Sequence, residues 1–223
     1  MERIRKLLHS KKPVKWLFYG DSITHGALHT FGWRDYTELF SERVRFELGR
    51  VNDIVIKTAL SGNTTRDLLA SFDWRVKQFH PQVVFIMIGM NDCAAGEMGA
   101  RVPLREFRTN LFTLVQSIRQ ISKCLPVLQT CNPVLPGAAP EREPHLDAYM
   151  ETIRNVASGE GLPLIDHATY WKKETDGQTH RFFSWMNDAL HPNAMGHRVF
   201  AELIFKEAGI FDQKSCSCSF FHP

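Results

Sequence analysis

Nowhere in its 223 residues does this chain hold an apolar run long enough for a membrane span, and residues 1–12 lack the apolar core of a cleaved leader. No transmembrane segment is expected, and the default reading is a cytoplasmic protein. Cysteine is scarce and odd in number. Cys93, Cys124, Cys131, Cys216 and Cys218 are mostly scattered, which is the usage of a reducing compartment and excludes a disulfide framework. Cys216 and Cys218 lack a matching Cys or His set, so no metal is expected there and they read as part of a loose tail. Neither charge dominates: 27 Lys and Arg face 24 Asp and Glu, a net +3. That balance announces no broad basic surface, so nucleic acid is not an expected partner. Internal repeats are absent, no linker divides the chain, and no glycine-rich phosphate loop follows the first strand, which argues against a nucleotide binder.

What the chain does have is a steady alternation of strand-like and helix-like stretches. Residues 14–19, 53–60, 82–88, 125–130 and 162–165 read as five strands. The third, Gln-Val-Val-Phe-Ile-Met-Ile, is apolar almost throughout, as suits a central parallel strand covered on both faces. Helices are expected over residues 33–48, 64–79, 103–123, 145–158 and 192–208, the last opened by Pro192. Residues 93–101, 132–144 and 168–187 read as loops, the last of them aromatic and irregular. Five strands alternating with helices give a parallel sheet with helices on both faces. One α/β domain is expected over residues 14–210, with a basic N-terminal extension (1–13) and a C-terminal tail (211–223). Within the extension Ile4, Leu7 and Leu8 have helical spacing, which fits an amphipathic helix packed on the domain.

Three successive strands end in small polar clusters: Gly20-Asp21-Ser22, Ser61-Gly62-Asn63 and Gly89-Met90-Asn91-Asp92. A parallel sheet puts all three at one edge, where ligands bind in open α/β sheets. The residue types suit acyl transfer. A serine hydroxyl attacks a carbonyl only if a base takes its proton, and the resulting oxyanion needs donors. Glycine lets its N–H approach a substrate closely, and an asparagine side chain adds an uncharged donor. Of ten histidines, His191 stands out, because Asp188 three residues earlier can reach its Nδ1–H and leave Nε2 free to accept a proton. His25 has no acid at useful spacing, and His197 falls inside the last helix. The bland alternatives stay open on spacing alone: Gly20-Asp21-Ser22 as an ordinary turn, and Asp188 with His191 as a helix cap.

Together these blocks resemble the GDSL-type esterases and lipases of the SGNH hydrolase superfamily. Gly20-Asp21-Ser22-Ile23-Thr24-His25-Gly26 is similar to its first block, Gly62 to the second, Asn91 to the third, and Asp188 with His191 to the last. Ile23 stands where the family nickname has leucine, and the tail after Phe211 has no counterpart in the pattern. The resemblance implies a flavodoxin-like three-layer α/β/α fold with a five-stranded parallel sheet, and a Ser22–His191–Asp188 triad. It also implies an oxyanion hole from the N–H groups of Ser22 and Gly62 with the Asn91 side chain. Asp21 is expected to hold its turn, and Asn63 and Asp92 to brace the site from behind. Cys93 is a rival nucleophile in principle but reads as a small buried residue.

The expected function is ester hydrolysis through an acyl-enzyme on Ser22, with no cofactor and a small-molecule ester as partner. A short acyl group on a sugar is the first choice of substrate. The alternatives are a lysophospholipase or thioesterase of longer chains, and a non-catalytic carbohydrate-binding domain. A homo-oligomer is compatible with the sequence. A histidine base must be neutral to work, so activity should fall in acid across the ~6–7 range ordinary for imidazole. Trp171, Phe182, Phe183 and Trp185 form either a pocket wall or part of the core.

Overall fold

Strand β1 (Lys15–Gly20) lies inside the sheet, buried from Trp16 onward, and the chain is built outward from it. The computed structural model describes residues 1–26, 29–96 and 99–219. Strands β2 (Ile54–Lys57), β3 (Val83–Met87), β6 (Leu125–Gln129) and β7 (Leu164–Ile165) join β1 in the order β2-β1-β3-β6-β7, and every pairing is parallel. Between β3 and β6 a small antiparallel pair, β4 (Ala95–Gly96) and β5 (Gly99–Ala100), projects from the loop. The five-stranded parallel sheet is the one expected, with shorter strands than the sequence suggested at the β2 and β7 edges.

Ten helices pack around it among the described residues: α1 (Glu2–His9), α2 (Ser22–His25), α3 (Tyr36–Glu42), α4 (Thr65–Ala70), α5 (Phe72–Arg75), α6 (Leu104–Gln120), α7 (Glu143–Gly159), α8 (His167–Thr175), α9 (Thr179–Ser184) and α10 (Ala194–Ala208). Alternation along β1 separates the two helical layers. Trp16 and Phe18 meet Phe40 and, for Phe18, Tyr36 of α3, and Tyr36 in turn meets Phe200 of α10. Tyr19 points the other way, where its hydroxyl donates to the Leu68 carbonyl of α4 at 2.6 Å. On that side α6 and α7 pack together through Phe107 and Tyr149. No helix among the described residues is long and apolar enough to cross a membrane.

Several elements depart from the sequence reading, each for a local reason. The helix expected over 33–48 starts only at Tyr36, because Asp35 and Glu38 form a reciprocal capping box, and it ends in a π turn over Arg43–Glu47. The helix expected over 64–79 breaks at Ser71 into α4, α5 and a short 3₁₀ turn. Residues 168–187 are helical in two pieces, α8 and α9, instead of irregular, with Trp171 fully buried. The tail is not loose through Ser219: Glu47 accepts from Ser215 Oγ and from the Ser217 N–H, and Cys218 is buried.

Helix α1 does dock on the domain, with Ile4 and Leu8 entering the common core. Asp53, just before β2, accepts from the Val14 N–H at 3.0 Å, Trp16 Nε1 at 2.8 Å and Arg50 Nε at 2.8 Å. Arg50 also donates to the Leu8 carbonyl, so one buried ion pair clamps the segment between α1 and β1.

Candidate active site

Gly20 is the last residue of β1 and lies opposite Met87 of β3. A Cβ at this position would sit 2.2 Å from the Met87 carbonyl oxygen, so only glycine lets the two strand ends close together. Asp21 then caps the single turn α2, its Oδ1 accepting from the Ile23 N–H at 3.1 Å. Ser22 is the first residue of that turn, so its N–H has no acceptor within it. The turn holds Ser22 at the C-terminal edge of the sheet.

His191 arrives from the far end of the chain. Its Nε2 is 2.8 Å from Ser22 Oγ, and its Nδ1 is 2.8 Å from Asp188 Oδ2 and 3.0 Å from Oδ1. Asp188 Oδ1 also accepts from the backbone N–H groups of Leu190 and His191, both at 2.8 Å. Burial pushes the Asp188 carboxyl up, but those two N–H groups and the imidazole outweigh it and hold the carboxyl below its ordinary range. Asp188 is therefore ionised beside Nδ1, the arrangement that keeps a proton there and leaves Nε2 able to accept one.

The loop that carries this pair is pinned on both sides. Asn132 Nδ2 donates to the Leu190 carbonyl at 3.0 Å, and the Leu135 N–H donates to the Ala189 carbonyl at 2.9 Å. Asn193 caps α10 with its Oδ1 and ties Ser184 and Met186 with its Nδ2. The loop after β6 thus fixes the turn that carries Asp188 and His191.

Asn91, after β3, donates from Nδ2 to the Asn63 carbonyl at 3.0 Å. That bond orients the amide and leaves its second N–H uncommitted. Gly62 has φ +83°, a conformation that favours glycine, and open space where a Cβ would stand. Asn63 is buried beside it, and its carbonyl links the second and third blocks. Asp92 accepts from Thr65 N–H and Oγ1 at 2.8 and 2.6 Å, which fixes the start of α4.

Asp21 and Asp92 are both buried, and each has one oxygen without a partner among the described residues. Burial pushes Asp21 up to about 7 and Asp92 up to about 6, with Asp92 adding to the effect on Asp21. Cys93 lies fully buried, and burial pushes its thiol up to about 12, which denies it thiolate character. His25 turns away to Ser61 Oγ, 3.1 Å from its Nδ1. Trp171 and Trp185 pack edge to face inside the core and do not form a wall of the site.

Two features escaped the sequence reading. His29 stacks on His191 with ring centroids 3.6 Å apart and planes 3° from parallel, and its Nδ1 is 3.7 Å from Asp188 Oδ2. Nothing in its spacing marked it, since the contact joins two residues far apart in the chain. His29, Asp188 and His191 bring possible metal-ligand atoms within 4.8 Å of one another. Parallel stacked rings, however, send their nitrogen lone pairs side by side and not toward a common point. The second feature is a pair of exposed aromatics on the same loop: Phe31, 77% exposed at φ +51°, and Trp33, 53% exposed.

The chain is similar to several known proteins. An acetylxylan esterase of Geobacillus stearothermophilus is 26% identical over 208 residues, covering 87% of this chain and 94% of that one. A solved structure of a catalytic mutant of that enzyme superposes with a TM-score of 0.74 at 24% identity, over 90% of this chain and 97% of the other. Its structures described as catalytic mutants replace a serine, a histidine and an aspartate. A crystal structure from Parabacteroides merdae, described only as resembling a GDSL lipase, superposes with a TM-score of 0.78 at 20% identity, over 91% and 99% of the two chains. An uncharacterised protein of Mycoplasma pneumoniae is 29% identical over 138 residues, 60% of this chain but only 14% of that much longer protein. The GDSL-like lipase/acylhydrolase family model matches residues 18–199, and the chain belongs to that family of carboxylic ester hydrolases.

Proposed function

We propose that the protein hydrolyses small acylated esters through an acyl-enzyme on Ser22, and that its substrates are short acyl groups carried on carbohydrate. The observation that carries the reading is the continuous relay from Ser22 Oγ through His191 to Asp188, with both links at 2.8 Å. In this mechanism His191 Nε2 takes the Ser22 proton as Oγ adds to the acyl carbonyl. The oxyanion accepts from the Ser22 and Gly62 N–H groups and from the uncommitted N–H of Asn91. Collapse breaks the ester C–O bond, the leaving alcohol takes the proton from His191, and the acyl group remains on Oγ. Water then gives a proton to His191 and adds to the acyl carbonyl; collapse breaks the C–Oγ bond, His191 returns the proton to Ser22 Oγ, and the acid leaves. Asp188 keeps the imidazole in the right tautomer and offsets its transient positive charge.

The test is turnover of p-nitrophenyl acetate together with sulfonyl fluoride labelling, located by mass spectrometry. Turnover with the adduct on Ser22 is expected; label on another residue, or no turnover of any ester, sinks the proposal. A series of p-nitrophenyl esters decides between acyl classes. Acetate and propionate should be favoured, and a preference for octanoate or longer chains would instead favour the lysophospholipase or thioesterase reading.

The preference for carbohydrate rests on the acetylxylan esterase relative and on Phe31 and Trp33, which expose two aromatic faces on the loop bearing His29. Aromatic faces are suited to stacking on sugar rings. Phe31→Ala and Trp33→Ala should each raise KM for acetylated xylo-oligosaccharides several-fold and leave p-nitrophenyl acetate kinetics unchanged. Equal effects on both substrates would remove the loop from the recognition surface.

A further inference from the structure

Resting on the reading of His191 as the general base, we propose that His29 is a positioning residue: neutral, it holds the His191 ring in the plane of Ser22 and Asp188, and protonated, it draws Asp188 away and silences the site.

The first half follows from the stack. At 3.6 Å between centroids and 3° between planes, His29 covers one whole face of the His191 ring. A ring bonded at both nitrogens, as His191 is to Ser22 and Asp188, retains one soft motion, rotation about the line through those bonds. A flat neighbour in van der Waals contact opposes that rotation. It also keeps water off one face of the base. Neither effect depends on contact with substrate, so His29 acts through His191 and touches no reacting atom.

The second half follows from the shared carboxylate. His29 Nδ1 is 3.7 Å from Asp188 Oδ2, the same oxygen that lies 2.8 Å from His191 Nδ1. This is too long for a hydrogen bond but within reach of an ion pair once His29 carries a proton. The imidazolium would then compete for Asp188 and repel the positive charge that must form on His191 during turnover.

The titratable groups facing His29 are His191 and Asp188 from the loop before α10, and His25 from α2; buried His197 of α10 also feels its charge. Partial burial and the His191 ring push His29 toward the neutral form, and Asp188 opposes them. The ring is therefore neutral at working pH and takes a proton only in acid. A proton on His191 blocks the base and one on His29 disturbs Asp188, so acid stops the enzyme through two protons.

The experiment is kcat and KM against pH for the full chain and two variants. In the wild type, log kcat/KM should fall toward a limiting slope of two in acid. His29→Phe keeps a flat ring and removes the proton, so its slope should drop to one with a neutral-pH kcat within about threefold of wild type. His29→Ala removes the stack, so kcat should fall about tenfold at neutral pH with KM within about twofold. A wild-type slope of one, or His29→Ala with wild-type kcat, overturns the proposal.

A readout without turnover separates this failure from failure of the esterase reading. The imidazole Cε1–H resonances of His29 and His191 are followed by NMR titration. His191→Phe should raise the midpoint of His29 by at least about half a unit. A His29 midpoint that ignores the loss of His191 overturns the coupling whether or not any ester is hydrolysed.

Discussion

Replacing Asp188 by asparagine should lower kcat by about 10⁴-fold and leave the fold in place. The carboxamide oxygen can still accept from the Leu190 and His191 N–H groups, so the turn keeps its local bonds. Its NH₂, however, now faces His191 Nδ1 where an acceptor is needed. The imidazole answers by carrying its proton on Nε2, and that nitrogen can no longer take one from Ser22. Asp188→Ala also removes the side-chain oxygen that accepts from the Leu190 and His191 N–H groups, and should cost about 1–2 kcal/mol of stability beyond the asparagine variant. Ser22→Ala should lose at least as much activity as Asp188→Asn. Combining it with Asp188→Asn should cost little more, because the residues act as one unit. Steady-state kinetics with thermal melts of each variant check this. Multiplicative losses in the double variant, or an Asp188→Asn enzyme within tenfold of wild type, would break the relay as the source of activity.

Stability should show two opposed titrations beneath the same site. Asp21 at about 7 and Asp92 at about 6 hold more protons folded than unfolded above the ~4 of a free carboxyl. Their contribution is present below ~4 and is lost as pH rises through those folded values. His167 and His197 run the other way. Burial holds them down at about 3 and about 4, so their contribution is complete above ~6.5 and is lost as pH falls toward those values. His167 meets Gln129 through Nε2, while its Nδ1 and His197 Nε2 have no partner among the described residues, so neither ring is prepared to carry charge.

The two effects separate by variant. Between pH 4 and pH 7.5 the unfolding free energy of Asp21→Asn, relative to wild type, should rise by about 3–4 kcal/mol. That of His197→Gln should fall by about 3 kcal/mol over the same interval. Any constant offset from the substitution itself cancels in these differences. Denaturant melts at the two pH values measure both, and curves that stay parallel to wild type would mean the group titrates alike in the folded and unfolded chain.

The parts of the site legible in the sequence are those whose signal is local. Ser22, Gly62 and Asn91 each follow a strand directly, and a parallel sheet gathers strand ends without further instruction. Asp188 and His191 share one turn, so their spacing alone made the contact credible. His29 was illegible because its contact is with a ring 162 positions further along the chain. Trp171 and Trp185 looked available for a pocket only because their helices went unread. Lys172, Lys173 and Glu174 interrupt the apolar spacing of α8, and burial of Ala168, Trp171 and Thr175 decides its conformation. The docking of the tail was hidden for the same reason as His29: Glu47 receives Ser215 and Ser217 across the whole length of the domain.

The bond between Ser22 and His191 spans 169 residues. A ribosome that has made Ser22 must synthesise nearly the rest of the domain before His191 exists, and β1 waits for β2 and β3 before its neighbours are complete. Pairing over such separations is the slow part of folding. The relay can therefore close only when the two ends of the domain have met, so recovered ester hydrolysis would time the final assembly of the chain, after its helices have formed.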